Sequence, residues 1–148
     1  MLSSLKLLPI ILLLGGVVAC DTGRHSSAGF RLPLDGDVEN GKASFVALGC
    51  YQCHQVSGVN LPKPAVQAPV MVALGGQVPT EVTDGYLVTS IVNPSYALAP
   101  YPRDLITVGG KSRMPDYRDR MTVQQLVDTV AFLQSRYTVV PPARPVYR

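Results

Sequence analysis

The feature that most constrains this chain is a five-residue run in its first half, Cys50-Tyr51-Gln52-Cys53-His54. The run places two thiols about one helical turn apart, with an imidazole directly after the second thiol. Two thiols at this separation can add to the two vinyl groups on one edge of a porphyrin, and the adjacent histidine then lies under the iron. The run therefore predicts covalent attachment of one haem through Cys50 and Cys53, with His54 as an axial iron ligand.

Two other uses of a Cys-x-x-Cys pair are open at this stage. A thioredoxin-like redox pair is expected in a βαβ setting, which the sequence pattern does not indicate. Half of a zinc site would need further ligands, but the only other cysteine is Cys20 and the only other histidine is His25. The composition favours haem, because the chain has no Trp and only 7% aromatic residues, so a porphyrin would supply the large apolar filler that its core lacks.

The N-terminal segment has the layout of a secretory signal. Lys6 is followed by an apolar stretch too short to span a bilayer comfortably, and the segment ends in Val17-Val18-Ala19-Cys20. This ending resembles the lipobox of bacterial lipoproteins, which implies cleavage before Cys20 and acylation of its sulfur. An ordinary cleaved signal with an incidental cysteine is the alternative. We therefore expect a lipoprotein signal peptide at 1–19 and a flexible tether at 20–35, on the periplasmic side of a bacterial membrane.

Apolar periodicity predicts three helices and no clear strand, so the expected fold class is all-α, with long loops around one haem. Each predicted helix follows a polar residue that can cap it: 38–48 after Asp37, 84–92 after Thr83, and 123–136 after Thr122. The last has the pattern of a capping box, with Gln125 at its third position. Gly41 in the first helix has no side chain, so another helix can cross close to it.

Residues 36–137 resemble a class I, mono-haem bacterial cytochrome c domain. The matching features come in family order: the helix with Gly41 and Phe45, the haem motif, Ala68-Pro69-Val70-Met71 before Gly75-Gly76, Arg113-Met114-Pro115, and a final helix through Leu126 and Leu133. The resemblance implies a cytochrome c fold, haem c, and the carbonyl of Pro69 as the acceptor for the second ring nitrogen of His54. Residues 138–148 read as a Pro-rich C-terminal tail.

Met114 is the predicted sixth ligand of the iron. Met71 is close to His54 in sequence and lies on the loop that resembles the one under that histidine, so we expect it to pack against the ring as a soft apolar residue. Met121 is explained as a hydrophobic staple of the last helix. The Met-Pro pair at 114–115 also matches the family pattern, and a core methionine is the alternative reading of Met114. Lys111 and Arg113 are candidates for contact with a haem propionate or a partner, or are solvated loop residues.

The expected function is single-electron transfer rather than catalysis. Oxidases, reductases or dehydrogenases are the expected redox partners, and the membrane is contacted through the lipid. A net charge of +3 is too small to indicate nucleic-acid binding. Two alternatives stay open: a permanent subunit of a larger oxidoreductase complex, and a haem enzyme or ligand sensor with an open iron site.

Overall fold

The computed structural model describes residues 31–142. The predicted signal peptide, the predicted lipid-attachment residue Cys20, most of the predicted tether and the end of the predicted tail lie outside the described residues. Within 31–142, no helix is both long and apolar enough to cross a membrane.

Four helices occur in the described chain, and the three long ones are those that the sequence predicted. They are α1 (Val38–Ala47), α2 (Asp84–Val92), α3 (Arg103–Ile106) and α4 (Val123–Gln134). The predicted ends of α1 and α4 were one and two residues too late. The single turn of α3 was not predicted, because one turn carries too little periodicity to be read from sequence.

The cap of α4 has both hydrogen bonds of a capping box. The Thr122 hydroxyl accepts from the backbone N–H of Gln125 at 3.1 Å, and the Gln125 side chain accepts from the backbone N–H of Thr122 at 2.9 Å. Met121 and Leu126, the predicted staple, both pack against the core cluster. The predicted start of α4 at Val123 is therefore confirmed, and this start determines which face of the helix packs against the core.

The all-α expectation needs a correction, because three small ladders connect the loops. Their strands are two or three residues long: β1 (His54–Val56) with β2 (Val72–Leu74), β3 (Gly76–Val78) with β6 (Tyr137–Val139), and β4 (Thr107–Val108) with β5 (Lys111–Ser112). The first two pairs are parallel and the third is antiparallel. Strands this short show no alternation, so the pattern of the sequence could not reveal them.

The centre of the domain is the crossing of α1 over α4. A Cβ atom built on Gly41 would lie 1.9 Å from the carbonyl oxygen of Asp128, so only glycine permits this approach. Next to it, the rings of Phe45 and Phe132 meet edge to face, with centroids 5.7 Å apart. The close crossing expected at Gly41 is confirmed.

Both ends of the described chain pack onto this centre. Leu32, which the sequence analysis placed in the tether, is buried in the core cluster. At the other end, β6 begins at Tyr137, and the N–H of Val140 donates to the carbonyl of Val78 at 2.8 Å. Ordered pairing therefore continues into the segment predicted as a tail.

Candidate haem-attachment site

The cysteine motif begins three residues after the end of α1. Gly49 has a positive φ of +75°, a left-handed conformation that glycine adopts without strain, and it turns the chain out of the helix. A turn of 3-10 helix over Cys50–Gln52 follows, and β1 starts at His54. The motif is thus held between a helix that is fixed by the core and a strand that pairs with β2.

The two cysteines of the motif are free thiols in different surroundings. Cys53 is exposed, whereas Cys50 is half-buried. Burial raises the pKa of the Cys50 thiol, and a hydrogen bond with the side chain of Tyr117 partly opposes that rise. Neither sulfur is in a disulfide, and free thiols are what addition to two porphyrin vinyl groups requires.

The imidazole of His54 is held in place but its hydrogen bonding is incomplete. Its Nδ1 atom is buried and has no hydrogen-bond partner. Burial lowers the pKa of the ring, with partial opposition from the backbone of Val72, which faces His54 across the β1–β2 ladder. The Phe45 ring contacts it edge-on, with centroids 6.4 Å apart. A lowered pKa favours the uncharged ring, which is the form that can be an axial ligand of a metal.

Pro69, the expected acceptor for the second ring nitrogen, is not hydrogen-bonded to Nδ1 in this structure. Its role therefore stays a prediction. The backbone of Val72, three residues further along, is the group that the structure brings to His54. Sequence reasoning did not find Val72, because the contact depends on the register of a three-residue ladder.

A cavity of about 570 Å³ opens beside His54. This volume is within the range of roughly 300–1,000 Å³ that is typical of cofactor and ligand sites. Its lining includes two motif residues, several apolar side chains and a methionine, among them Tyr51, His54, Val59, Leu61 and Met71. Met71 therefore lies near His54, and its expected packing against the ring stays a prediction.

Met114 lies on the loop after β5, half-buried against the core cluster. Its backbone N–H donates to the hydroxyl of Ser112 at 3.1 Å, and Pro115 follows it. Met114 is not among the residues that line the cavity beside His54. Its role as the sixth ligand therefore stays a prediction, which rests on its loop and on the neighbouring proline.

The two basic candidates near Met114 differ in their surroundings. The guanidinium of Arg113 donates to the backbone carbonyl of Asp104 at 3.2 Å, so it is engaged in holding its own loop. Lys111 is exposed at the end of the β4–β5 hairpin. Neither position decides between a propionate contact and a solvated side chain.

Tyr117 is a residue of this site that sequence reasoning missed. Its side chain is only 6% exposed, and its hydroxyl donates to the carbonyl of Leu48 at 3.2 Å. Burial, followed by the neighbouring Cys50 thiol, raises the pKa of Tyr117 to about 12. The available signal was an aromatic residue three positions after Met114.

The zinc alternative gains no support from the described residues. Within residues 31–142, no group of three or more histidine, cysteine or acidic side chains is arranged to hold a metal ion. Cys50, Cys53 and His54 do fit haem attachment, since two free thiols share one short motif with a histidine whose ring is partly buried and lines a cavity.

Comparison with known protein families decides the assignment. The family model for cytochrome c matches residues 38–136, from the first residue of α1 to the residue before β6. The chain belongs to the cytochrome c family. A cytochrome c domain carries covalently attached haem c with its iron, and its general role is electron transfer. No curated protein and no solved structure matches this chain.

Proposed function

We propose that this cytochrome c is a lipid-anchored carrier of single electrons on the periplasmic side of a bacterial membrane. The observation that carries the electron-transfer part is the thiol-thiol-imidazole motif at the end of α1, inside a domain that matches the family over residues 38–136. The anchor rests on the lipobox-like ending at Cys20.

Each residue of the site has a distinct role in this proposal. Cys50 and Cys53 hold the cofactor through thioether bonds, which keep it attached outside the cytoplasm. His54 would supply an imidazole nitrogen to the iron and Met114 a soft thioether sulfur, and a thioether ligand favours the reduced metal and raises the potential. The chemistry supplied by haem iron is a reversible one-electron change between Fe(III) and Fe(II). In such a carrier, one electron enters and one leaves, and no bond of the protein is made or broken.

The partners in this proposal are membrane-associated redox proteins, namely a respiratory dehydrogenase or reductase as donor and an oxidase or reductase as acceptor. A lipid tether on Cys20 would confine the search for these partners to the membrane surface and raise their effective concentration. The segment between Cys20 and Leu32, where core packing begins, gives the domain some reach from that surface.

The ligand assignment is tested by absorption spectra of haem-loaded variants. We expect Met114→Ala to open the iron site, giving a spectrum that shifts with carbon monoxide and a lower reduction potential than that of the wild type. Met71→Ala is the matched control, because it removes a methionine of the cavity lining, and its low-spin spectrum should persist. If Met71→Ala opened the site while Met114→Ala left the spectrum unchanged, the ligand assignment would be wrong.

The anchor is tested by mass spectrometry of the mature N-terminus and by fractionation. We expect the mature chain to begin at Cys20 with acyl groups attached, and Cys20→Ala to move the protein from the membrane to the soluble fraction. A mature chain that begins elsewhere and carries no lipid would contradict this. Purification in mild detergent separates a free carrier from a permanent subunit, since a subunit would copurify in fixed ratio with a larger oxidoreductase.

A further inference from the structure

Tyr117 lies where three parts of the site meet. Its hydroxyl donates across a separation of 69 residues to the carbonyl of Leu48, the C-cap residue of α1, two positions before Cys50. Its own position is three residues after Met114. The hydroxyl therefore connects the loop that carries one predicted ligand to the helix end that leads into the haem motif.

The backbone of Tyr117 also ties this loop to α4. Its carbonyl accepts from the N–H groups of Arg120 and Met121, both at 3.0 Å, and Met121 precedes the cap of α4. The Leu48 carbonyl belongs to the last turn of α1, where carbonyls lack partners within the helix, so the Tyr117 hydroxyl satisfies a group that would otherwise need water. With a side chain only 6% exposed, Tyr117 is a fixed link between α1 and α4.

The Cys50 sulfur lies beside the same hydroxyl. As a thiol, this sulfur can donate its hydrogen to the tyrosine oxygen while the hydroxyl hydrogen goes to Leu48. Addition of the thiol across a vinyl group joins sulfur to one carbon and places the hydrogen on the other, so the thioether sulfur can only accept. Because the single hydroxyl hydrogen of Tyr117 is donated to Leu48, the hydroxyl keeps that hydrogen bond after attachment and loses the thiol as its own donor.

We propose that Tyr117 is a positioning residue of the haem site, whose hydroxyl holds the Met114 loop against the end of α1, directly before the haem motif. The inference deepens the proposed function, because it rests on Met114 as the sixth ligand. It assigns to Tyr117 no direct contact with iron.

Tyr117→Phe is the direct test, because it removes the hydroxyl and leaves the buried ring. One neutral hydrogen bond corresponds to roughly a fivefold change in an equilibrium constant. If the hydroxyl holds the Met114 loop, its loss raises the population in which Met114 is off the ferric iron by about this factor. Added imidazole should then bind the ferric haem roughly fivefold more tightly, and the reduction potential should fall, because a thioether ligand favours Fe(II).

Tyr137→Phe is the matched control. Tyr137 is a half-buried tyrosine packed against the core. It lies on β6, and its hydroxyl meets the backbone of Gly75 rather than the end of α1. Both variants are purified in the haem-loaded form, so reduced yield of either does not affect the readouts. We expect Tyr137→Phe to bind imidazole like the wild type, whatever its effect on unfolding by urea.

The outcomes separate a positioning role from a structural one. Equal imidazole affinity and equal potential in Tyr117→Phe and the wild type would overturn the inference, as would equal changes in the two tyrosine variants. If the wild-type spectrum itself lacked a methionine ligand, the ligand assignment of the proposed function would fail first. Failure of the inference alone is recognised by an intact methionine-ligated spectrum in all three proteins, with identical imidazole titrations.

Discussion

Gly41→Ala tests whether the helix crossing sets the stability of the domain. The added Cβ would lie 1.9 Å from the carbonyl oxygen of Asp128 and 2.8 Å from the Cβ of Phe132. The obstructing atom is backbone, so no side-chain rotation relieves the contact. The backbone of α4 would have to retreat by about 1.5 Å, the difference between 1.9 Å and an ordinary 3.4 Å contact.

Two effects of this substitution oppose each other, and their magnitudes decide the sign. Alanine is the better helix former by about 1 kcal/mol. Overpacking in a close-packed core costs about 1–3 kcal/mol, and separating the Phe45 and Phe132 rings forfeits a further ~1 kcal/mol. Since the required retreat is large, we expect a net loss of about 3 kcal/mol in the free energy of unfolding.

Urea unfolding of the haem-loaded protein, followed by far-ultraviolet circular dichroism, measures this loss. Ala43→Gly is the control, because it changes an exposed position of the same helix and should cost only the propensity term of about 1 kcal/mol. The reasoning is refuted if Gly41→Ala unfolds at the same urea concentration as the wild type or at a higher one, since helix propensity would then outweigh the crossing.

Three further substitutions probe polar groups around the crossing and on the loop that follows Met114. Asp128→Ala leaves the partly buried backbone N–H of Asp37 and the side-chain amide of Gln124 without their 2.9 Å acceptor. Two lost hydrogen bonds should lower the free energy of unfolding by about 2 kcal/mol in the same urea assay. Thr122→Ala removes the cap of α4 and should lower it by about 1 kcal/mol. Hydrogen bonds from Arg118 lower the pKa of the exposed Asp116 carboxyl to about 2. Arg118→Gln should therefore raise this pKa, and an NMR titration of the Asp116 side chain measures the change. A carboxyl pKa that stays at its present value would show that Arg118 is not the cause.

The sequence revealed the helices because their signals are local. Thr122 and Gln125 lie three residues apart, and Gly41 lies within a segment of helical periodicity. The cap of α4 and the close crossing at Gly41 could therefore each be predicted from a short stretch of sequence. The haem motif is equally local, which is why Cys50, Cys53 and His54 could be predicted as haem-binding residues without a structure.

The contacts that sequence reasoning missed join distant segments. Tyr117 meets Leu48 across 69 residues, and Val72 meets His54 through a ladder of three residues. No short pattern encodes such a pairing, because it is set by how the loops return to the helix crossing. Which group accepts from the second ring nitrogen of His54 depends in the same way on how the loop around Pro69 folds back. The local sequence does not determine this, so the assignment of Pro69 rests on the family resemblance.

Removal of the haem should cost this domain most of its cooperative stability. Only nine apolar residues of the described chain form the buried core cluster, while thirteen others, including Met114 and Leu61, pack against it with part of their surface exposed. In the haem-loaded protein, a porphyrin in the cavity beside His54 would cover apolar surface there, and a group bound to the folded state alone stabilises that state.

We therefore expect the double variant Cys50→Ala with Cys53→Ala, purified without haem, to unfold at a much lower urea concentration than the haem-loaded wild type and with a broader transition. The same variant reconstituted with non-covalently bound haem serves as the control, and it should recover part of the difference, because the two substitutions remove the covalent bonds but leave the cavity. A haem-free variant with the urea midpoint of the wild type would show that the crossing of α1 and α4 is sufficient to hold the fold.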